Sequence, residues 1–288
     1  MNSHTVDLAG PVHYVDFGGP ADGPAVVYVH GLGGSHLNWS RLAPLLADQV
    51  RGYALDLAGF GLTEPCGRRT SVGANAELLL RFLDEVVREP AVLVGNSMGG
   101  MVSILAAAQG PDKVRGLALV DPTLPLAPGA RVDPVVRKQF AVHAVPGLGE
   151  WSLRRRLARV PVRDRVGYTL ALCFSDPARI PPETVTAGIA LEERRATQPR
   201  RAESYLEAAR SILRGVGRPE HRRRMAGLTQ PVLLVHGVHD RLVPIASARA
   251  TAATHPQWTY AELDAGHTPQ IEVPEQVAAE IRPWLAGL

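Results

Sequence analysis

The sequence predicts an α/β protein with a mostly parallel, eight-stranded sheet that carries helices on both faces. Segments typical of strands alternate with segments typical of helices, and several strand segments are continuously apolar, as strands covered on both faces are. Parallel strands require crossover connections, and the intervening helices provide them. The chain of 288 residues, 45% hydrophobic and 20% charged, is long enough for one large domain or two small ones.

The first 120 residues predict six strands and three helices, because apolar or β-branched runs are separated by turns rich in glycine and proline. The predicted strands cover residues 5–8, 12–16, 25–30, 50–56, 91–96 and 114–120. The predicted helices cover residues 37–46, 72–87 and 98–108. In the second helix the apolar side chains recur on one face, which is typical of an amphipathic helix. They are Leu78, Leu79, Phe82, Leu83 and Val86.

The alternation stops after Asp121, where a stretch rich in proline and then in arginine begins. Residues 123–228 carry 19 Arg and one Lys against ten acidic residues, a net charge of +10, whereas the rest of the chain has a net charge of −7. Such a contrast indicates two differently built regions. Within the basic region, residues 151–160 and 203–214 have the pattern of helices.

The alternation resumes at Pro231 and continues to the end of the sequence. Strands are predicted at residues 232–236 and 258–263, and helices at residues 245–253 and 274–285. We therefore predict a core domain of residues 1–122 and 229–288, interrupted by a helical insertion of residues 123–228. In such a sheet the active site lies at the carboxyl ends of the strands.

The segment Gly95-Asn96-Ser97-Met98-Gly99-Gly100 follows an apolar strand and begins a helix. A sharp strand-to-helix turn leaves no room for side chains two residues either side of its central serine, and Gly95 and Gly99 meet that need. The hydroxyl of Ser97 would then project above the sheet. The N–H of Met98, at the start of the helix, would be free to donate to an oxyanion.

With this elbow the chain resembles the α/β-hydrolase superfamily, and the resemblance covers nearly all of it. Four further segments carry it, in chain order: His30-Gly31-Leu32-Gly33-Gly34, Asp56-Leu57-Ala58-Gly59-Phe60-Gly61-Leu62-Thr63, His236-Gly237-Val238-His239-Asp240 and Asp264-Ala265-Gly266-His267. They correspond to the family's oxyanion loop, a structural turn, the acid turn and the histidine loop. The resemblance implies the α/β-hydrolase fold, with the insertion as a cap over the strand ends.

The resemblance also implies the roles of individual residues. Ser97 would be the nucleophile, Asp240 the acid and His267 the base, because they follow the family's chain order. The backbone N–H groups of Leu32 and Met98 would form the oxyanion hole. Asp121, at the end of the strand before the insertion, is a rival for the acid, because some relatives place the acid there.

These roles predict a cofactor-free serine hydrolase that cleaves a small carboxylic ester, thioester or lactone through an acyl-enzyme on Ser97. One alternative is hydrolysis of a C–C bond, because the elbow is similar to that of the meta-cleavage product hydrolases. Those enzymes typically have a tryptophan after the catalytic histidine, whereas Thr268 follows His267 here. A non-hydrolytic biosynthetic enzyme or a ligand receptor on the same fold is a third hypothesis.

The composition limits the kinds of partner that we expect for this protein. The basic runs lack interleaved aromatic residues, so we expect no nucleic-acid binding. No apolar run approaches the length of a membrane span, and the start has no leader pattern, so we expect a cytoplasmic protein without stable membrane insertion. His236, His239 and Asp240 do not suit one metal ion, because a strand-end turn points them in different directions, and no metal is expected. The expected partner is a small molecule, and an arginine-rich cap would suit an anionic one.

Overall fold

The computed structural model describes residues 1–288 and contains one eight-stranded sheet, which confirms the predicted fold class. The strands are β1 (Asn2–Asp7), β2 (Pro11–Gly18), β3 (Ala25–Val29), β4 (Arg51–Leu55), β5 (Ala91–Asn96), β6 (Val114–Val120), β7 (Val232–Gly237) and β8 (Thr259–Leu263). Their spatial order is β1-β2-β4-β3-β5-β6-β7-β8. β1 pairs with β2 and β2 with β4 in antiparallel fashion, and every other pair is parallel.

The central strands are buried on both faces, as their apolar sequences predict. Every residue of β3, β5 and β7 is buried. Successive side chains of a strand point to opposite faces, so Val27 and Leu93 join one core cluster while Val26 and Val92 join the other. The sheet therefore lies between two hydrophobic cores.

Eleven α-helices surround or extend the sheet. They are α1 (Val72–Phe82), α2 (Met98–Gln109), α3 (Pro134–Ala144), α4 (Leu148–Arg159), α5 (Val162–Cys173), α6 (Pro182–Arg194), α7 (Arg201–Gly215), α8 (Pro219–Ala226), α9 (Ile245–Thr254), α10 (Pro269–Glu272) and α11 (Pro274–Ala286). Helices α3 to α8 follow one another between β6 and β7, within the range of the predicted insertion. None of the eleven combines the length and the apolarity that a bilayer span requires.

Two predicted helices differ from the structure. Residues 37–46 do not form one helix but two short 3₁₀ helices, His36–Trp39 and Ala43–Leu46. Pro44 lacks an N–H, so it suits the first turn of a new helix and not the interior of a longer one. The predicted helix at 72–87 ends as an α-helix at Phe82, and its last turn continues as a π-helix to Val87.

Candidate active site

Ser97 stands in the sharp turn between β5 and α2. Its backbone has φ of 54° and ψ of −118°, outside the regions that a serine usually adopts. A Cβ on Gly95 would lie 2.7 Å from the carbonyl oxygen of Gly99, and a Cβ on Gly99 would overlap the carbonyl oxygen of Val29. The two glycines are therefore required by close backbone packing. Ser97 is half-buried, whereas its neighbours in the turn are buried.

Backbone hydrogen bonds hold this strained turn in place. The N–H of Ser97 donates to the carbonyl oxygen of Asp121 at 3.1 Å, and its own carbonyl oxygen accepts from the N–H of Thr123 at 3.0 Å. The end of β6 thus supports the turn after β5. Strain of this kind persists only where the surrounding structure over-determines it, and it is common at functional sites.

The two predicted oxyanion donors belong to segments that lie next to Ser97. Met98 is the first residue of α2, so the helix leaves its N–H without an intrahelical acceptor. Leu32 follows Gly31, where an added Cβ would lie only 3.0 Å from the Cβ of Ser97. No backbone or side-chain acceptor receives the N–H of Leu32. Both donors are therefore available to an oxygen bound near Ser97.

Asp240 and His267 form a buried pair at the same edge of the sheet. His267 Nδ1 donates to Asp240 Oδ2 at 2.7 Å, and the two residues are 4% and 8% exposed respectively. Burial acts to raise the pKa of Asp240, but the charge and the hydrogen bond of His267 outweigh it and hold the pKa below its usual value. Asp240 is therefore ionised and fixes the tautomer of His267 with the proton on Nδ1.

The loop that carries His267 is tied to the serine turn through Asn96. Asn96 Nδ2 donates to the carbonyl oxygens of Val120 and His267, at 3.0 and 3.1 Å. No hydrogen bond joins Ser97 Oγ to His267 in the structure, and catalytic hydrogen bonds are often long before substrate binds. Asn96 was not singled out in the sequence, although its place beside the serine could have suggested it.

Glu272 also holds the histidine loop and was not identified from the sequence. Its buried carboxylate accepts the N–H of Gly266 at 2.8 Å and both the N–H and the hydroxyl of Ser175. In addition, the N–H of His267 donates to the carbonyl oxygen of Cys173 at 2.6 Å. The segment after α5 therefore packs directly on the loop that positions the imidazole. No sequence pattern could have indicated this, since the partners are about 100 residues apart.

Asp121, the alternative acid, lies beside Asp240 but forms no hydrogen bond with His267. Its Oδ1 accepts the N–H of Gly237 at 2.9 Å. Burial, followed by the charge of Asp240, raises the pKa of Asp121 well above its usual value. The hydrogen bond from the imidazole therefore goes to the residue that the sequence favoured.

Two clusters of imidazoles and carboxylates have donor atoms close enough to share an ion. One is Asp121, Asp240 and His267, described above. The other joins Asp56 to His13 Nδ1 at 2.8 Å and to His36 Nδ1 at 2.9 Å. Burial acts to raise the pKa of Asp56, but the hydrogen bonds from the two imidazoles outweigh it and hold the pKa well below its usual value. This second cluster ties the first strands to the turn after β4, which gives Asp56 a structural role.

The structure does not bring together the three neighbouring side chains that could be compared with a set of metal ligands, His236, His239 and Asp240. His236 is buried, and its Nε2 donates to the carbonyl oxygen of Val243 at 2.9 Å. His239 lies at the surface, where it contacts Asp264. Asp240 points to His267 instead. The turn after β7 thus sends the three side chains in different directions.

Helix α7 covers the other side of the site. A Cβ on Gly33 would lie 3.3 Å from the ring of Tyr205, so this tyrosine packs on the loop that carries Leu32. Thr70 Oγ1 donates to the carbonyl oxygen of Ser204 at 2.9 Å. The guanidinium of Arg195 donates to the carbonyl oxygen of Gly59 at 3.2 Å. The helices between β6 and β7 therefore rest on the loops at the carboxyl edge of the sheet.

Comparison with known proteins agrees with this geometry. The sequence profile of the alpha/beta hydrolase fold matches residues 24–274. The pimeloyl-[acyl-carrier protein] methyl ester esterase of Xanthomonas campestris is 30% identical over 274 residues, covering 92% of this chain and 96% of that enzyme. The dihydrolipoyllysine-residue acetyltransferase component of the acetoin cleaving system of Cupriavidus necator is 29% identical over 281 residues, covering 96% of this chain and 67% of that protein.

A solved structure is similar over almost the whole chain. Wild-type Cfl2 from Burkholderia cenocepacia has a TM-score of 0.81 and 26% sequence identity, covering 99% of this chain and 95% of that one. The profile match contains Ser97, Asp240 and His267, and it spans all of the sheet from β3 to β8. The sheet order, the strained serine turn and these matches lead to one conclusion: the chain belongs to the α/β-hydrolase family.

Proposed function

We propose that the protein is a serine hydrolase that cleaves a small carboxylic ester, thioester or lactone. The observation that carries this proposal is the buried Asp240–His267 pair, 2.7 Å between Nδ1 and Oδ2, on the loop tied to the strained turn of Ser97. A serine hydroxyl is a weak nucleophile unless a base takes its proton. His267 is the base, since its Nδ1 is held by Asp240 and its Nε2 is left to act.

In the first half of the proposed reaction, Ser97 Oγ attacks the carbonyl carbon while His267 Nε2 takes the hydroxyl proton. The N–H groups of Leu32 and Met98 bind the oxyanion of the tetrahedral intermediate; one such donor is worth roughly 3 kcal/mol where it has been measured. Collapse of the intermediate breaks the bond to the leaving alcohol or thiol. That group departs with the proton from His267, and an acyl-enzyme remains on Ser97.

In the second half, water replaces the leaving group. His267 takes a proton from the water, whose oxygen attacks the acyl carbon, and the same two N–H groups bind the oxyanion. Collapse returns the proton to Ser97 and releases the carboxylic acid. This sequence needs only the chain's own groups and one water, so neither a metal nor an organic cofactor has a step to perform.

The similarity to a methyl ester esterase supports an ester as the substrate. We further propose that residues 123–228 act as a cap, because α7 rests on the loop of Leu32 and the segment after α5 rests on the histidine loop. A cytoplasmic location and a small-molecule substrate complete the proposal. Both cysteines, Cys66 and Cys173, are free thiols, as is usual in a reducing compartment.

The test is hydrolysis of activated esters over a series of acyl lengths, with Ser97→Ala measured beside the parent protein. We expect serine-dependent turnover with a maximum at one acyl length. Ser103→Ala is the matched control, because Ser103 lies in α2, which begins directly after Ser97, is buried and has no hydrogen-bond partner for its hydroxyl. Equal rates for the parent and Ser97→Ala would refute the proposed nucleophile.

Absence of turnover by the folded parent protein over the whole series would refute ester hydrolysis. A coloured dienoate substrate of the meta-cleavage type would then be tried, because loss of its absorbance reports C–C cleavage. If that substrate also survives, the remaining hypothesis is a non-hydrolytic enzyme or a receptor.

A further inference from the structure

Two buried carboxyl groups stand side by side behind His267. Asp121 and Asp240 each have fully buried side chains, and the ionisable atoms of these two residues and of His267 all lie within 4.8 Å of one another. Only one of the carboxyl groups is hydrogen-bonded to the imidazole. The proposed reaction gives no role to the other, which is Asp121.

The hydrogen bonds of Asp240 leave room for one more donor. Its Oδ1 accepts the N–H groups of Leu242 and Val243 at 2.7 and 3.0 Å, and its Oδ2 accepts from His267 at 2.7 Å. A carboxylate has about four acceptor positions, so one position on Oδ2 is unused. Asp121 in turn has an oxygen without a hydrogen bond, because its Oδ2 is buried and has no partner.

The surrounding charges cannot balance two carboxylates. His236 Nε2 lies 3.6 Å from an oxygen of each, but it donates to a backbone carbonyl, and burial lowers the pKa of His236, so the ring is neutral. Glu272 contributes further negative charge from α10. Arg179, the cation beside it, pairs with Glu272 at 3.5 Å and with Asp264 at 3.3 Å, and with neither Asp121 nor Asp240. Desolvation raises the pKa of the Cys173 thiol to about 12, so Cys173 is neutral. His267 alone can offer one positive charge.

Two adjacent buried carboxyl groups with so little compensation cannot both ionise, and one keeps its proton. Asp240 has His267 to stabilise its charge, whereas Asp121 has no cationic partner. Burial and the charge of Asp240 accordingly raise the pKa of Asp121 well above its usual value. The proton of the pair therefore belongs to Asp121.

We propose that Asp121 is a positioning residue that remains protonated and donates a hydrogen bond from its Oδ2 to Oδ2 of Asp240. Through this bond Asp121 fixes the plane of the Asp240 carboxylate and draws off part of its negative charge. His267 is then held in one orientation, and its basicity is lower than an unassisted carboxylate would make it. The effect on catalysis rests on the proposed function, whereas the location of the proton does not.

The decisive variants are Asp121→Asn and Asp121→Ala. An asparagine can accept from the N–H of Gly237 and donate to Asp240, so we expect Asp121→Asn to retain kcat within about threefold of the parent. Alanine removes the donor, and we expect kcat to fall by about tenfold or more, the size of loss found for residues that orient metal-bound imidazoles. Asp240→Asn removes the partner of His267 itself and should lower kcat roughly 10⁴-fold.

The pH profile separates positioning from a merely structural role. Without the donor, Asp240 stabilises the imidazolium more strongly, so the acid limb of kcat/KM should move to higher pH in Asp121→Ala and stay in place in Asp121→Asn. An unshifted limb with an unchanged rate in Asp121→Ala would overturn the proposal. A loss in Asp121→Asn as large as that in Asp240→Asn would also overturn it, because Asp121 would then be an ionised acid.

Infrared spectroscopy tests the proton directly and needs neither a substrate nor the alanine variant. A buried, protonated carboxylic acid has a carbonyl band distinct from that of a carboxylate. We expect this band in the parent at neutral pH and its loss in Asp121→Asn. A band that is missing from the parent, or that persists unchanged in Asp121→Asn, would refute the protonated Asp121. If the protein hydrolyses no ester, this measurement still decides the proposal.

Discussion

The sheet and the helices between β6 and β7 are stabilised in different ways. Every residue of β3, β5 and β7 is buried, whereas α4 and α5 each bury one residue and α6 buries none. Helix α7, which packs on the loops of the sheet, is the exception and buries six. The sheet residues are apolar and pack in two continuous cores. The helical region depends much more on polar contacts, and its packing should tolerate change better than that of the sheet.

Arginine and glutamate pairs join these helices to one another. Arg210 bonds Glu150 at 2.6 Å between α7 and α4, and it also donates to the carbonyl oxygen of His143 at 2.9 Å. Glu192 on α6 is the partner of both Arg195 and Arg201. The side chains of these pairs are 7–25% exposed, and such pairs contribute less than apolar burial does. The contrast suggests that the sheet positions the reacting groups and that the helices can vary around them.

The largest expected effect comes from substituting a glycine packed against the sheet, and a glycine of the helical region is its comparison. A Cβ on Gly99 would overlap the backbone of β3, so Gly99→Ala should destabilise the protein by at least about 3 kcal/mol, the upper part of the range for overpacked cores. In α5, nothing lies within 4 Å of a Cβ on Gly167, so Gly167→Ala should stabilise it by about 0.5–1 kcal/mol. Urea unfolding measures both. Changes of the same sign would show that the two regions do not differ as described.

The next largest effect is a loss of folding stability at low pH, which we expect in both regions. Burial lowers the pKa of His30, at the end of β3, and of His221, on α8, from 6.5 to about 4. His30 Nδ1 donates to the carbonyl oxygen of Gly31 and Nε2 accepts from Leu57, so protonation would break an existing bond. Each histidine binds a proton more readily when unfolded. Their contribution to stability is therefore complete above about pH 6.5 and is lost as the pH falls towards 4.

Thermal melts of the parent and of His221→Leu between pH 7 and pH 4.5 measure this effect. The melting temperature of the parent should fall over that range. The fall should be smaller in His221→Leu, since one of the buried histidines no longer contributes. A steeper fall in the variant would contradict a neutral, buried His221.

The smallest effect is expected for the ion pairs of the helical region. Arg210→Ala should destabilise the protein by about 1 kcal/mol, because the pair with Glu150 is only partly exposed and two backbone carbonyl groups also lose a donor. Unfolding measured in low and in high salt would show a smaller loss in high salt. A loss as large as that of Gly99→Ala would mean that the helices are as tightly determined as the sheet.

The sequence predicted the sheet better than the short helices. The predicted strands at residues 91–96 and 114–120 coincide with β5 and β6. Short, continuously apolar runs of this kind are typical of strands buried on both faces. β1 begins earlier than predicted, since nearly all of its residues are exposed and give no apolar signal. The helix predicted at 37–46 was wrong because the apolar pattern outweighed Pro44 in that prediction.

The residues of the candidate site also differ in how well the sequence predicts them. Ser97, Asp240, His267, Leu32 and Met98 could be chosen from the sequence because each lies in a short motif whose spacing has a steric or chemical reason. The roles of these residues stay predictions, although the structure brings them to one edge. Asn96 lies beside Ser97 in its motif, but only the structure shows that it binds the histidine loop. Glu272 could not be chosen from a motif, because its contact with Ser175 joins segments 97 residues apart.

The sequence by itself determined the fold class, the strained serine turn and the identity of the groups that reach the edge of the sheet. These follow from local rules: apolar periodicity, glycine where a Cβ cannot fit, and polar residues directly after buried strands. Only the tertiary structure decided which carboxyl group accepts the hydrogen bond of His267 and which one has its pKa raised by burial. Both outcomes depend on distances, burial and charge summed over strands far apart in the chain, and no local pattern encodes that sum.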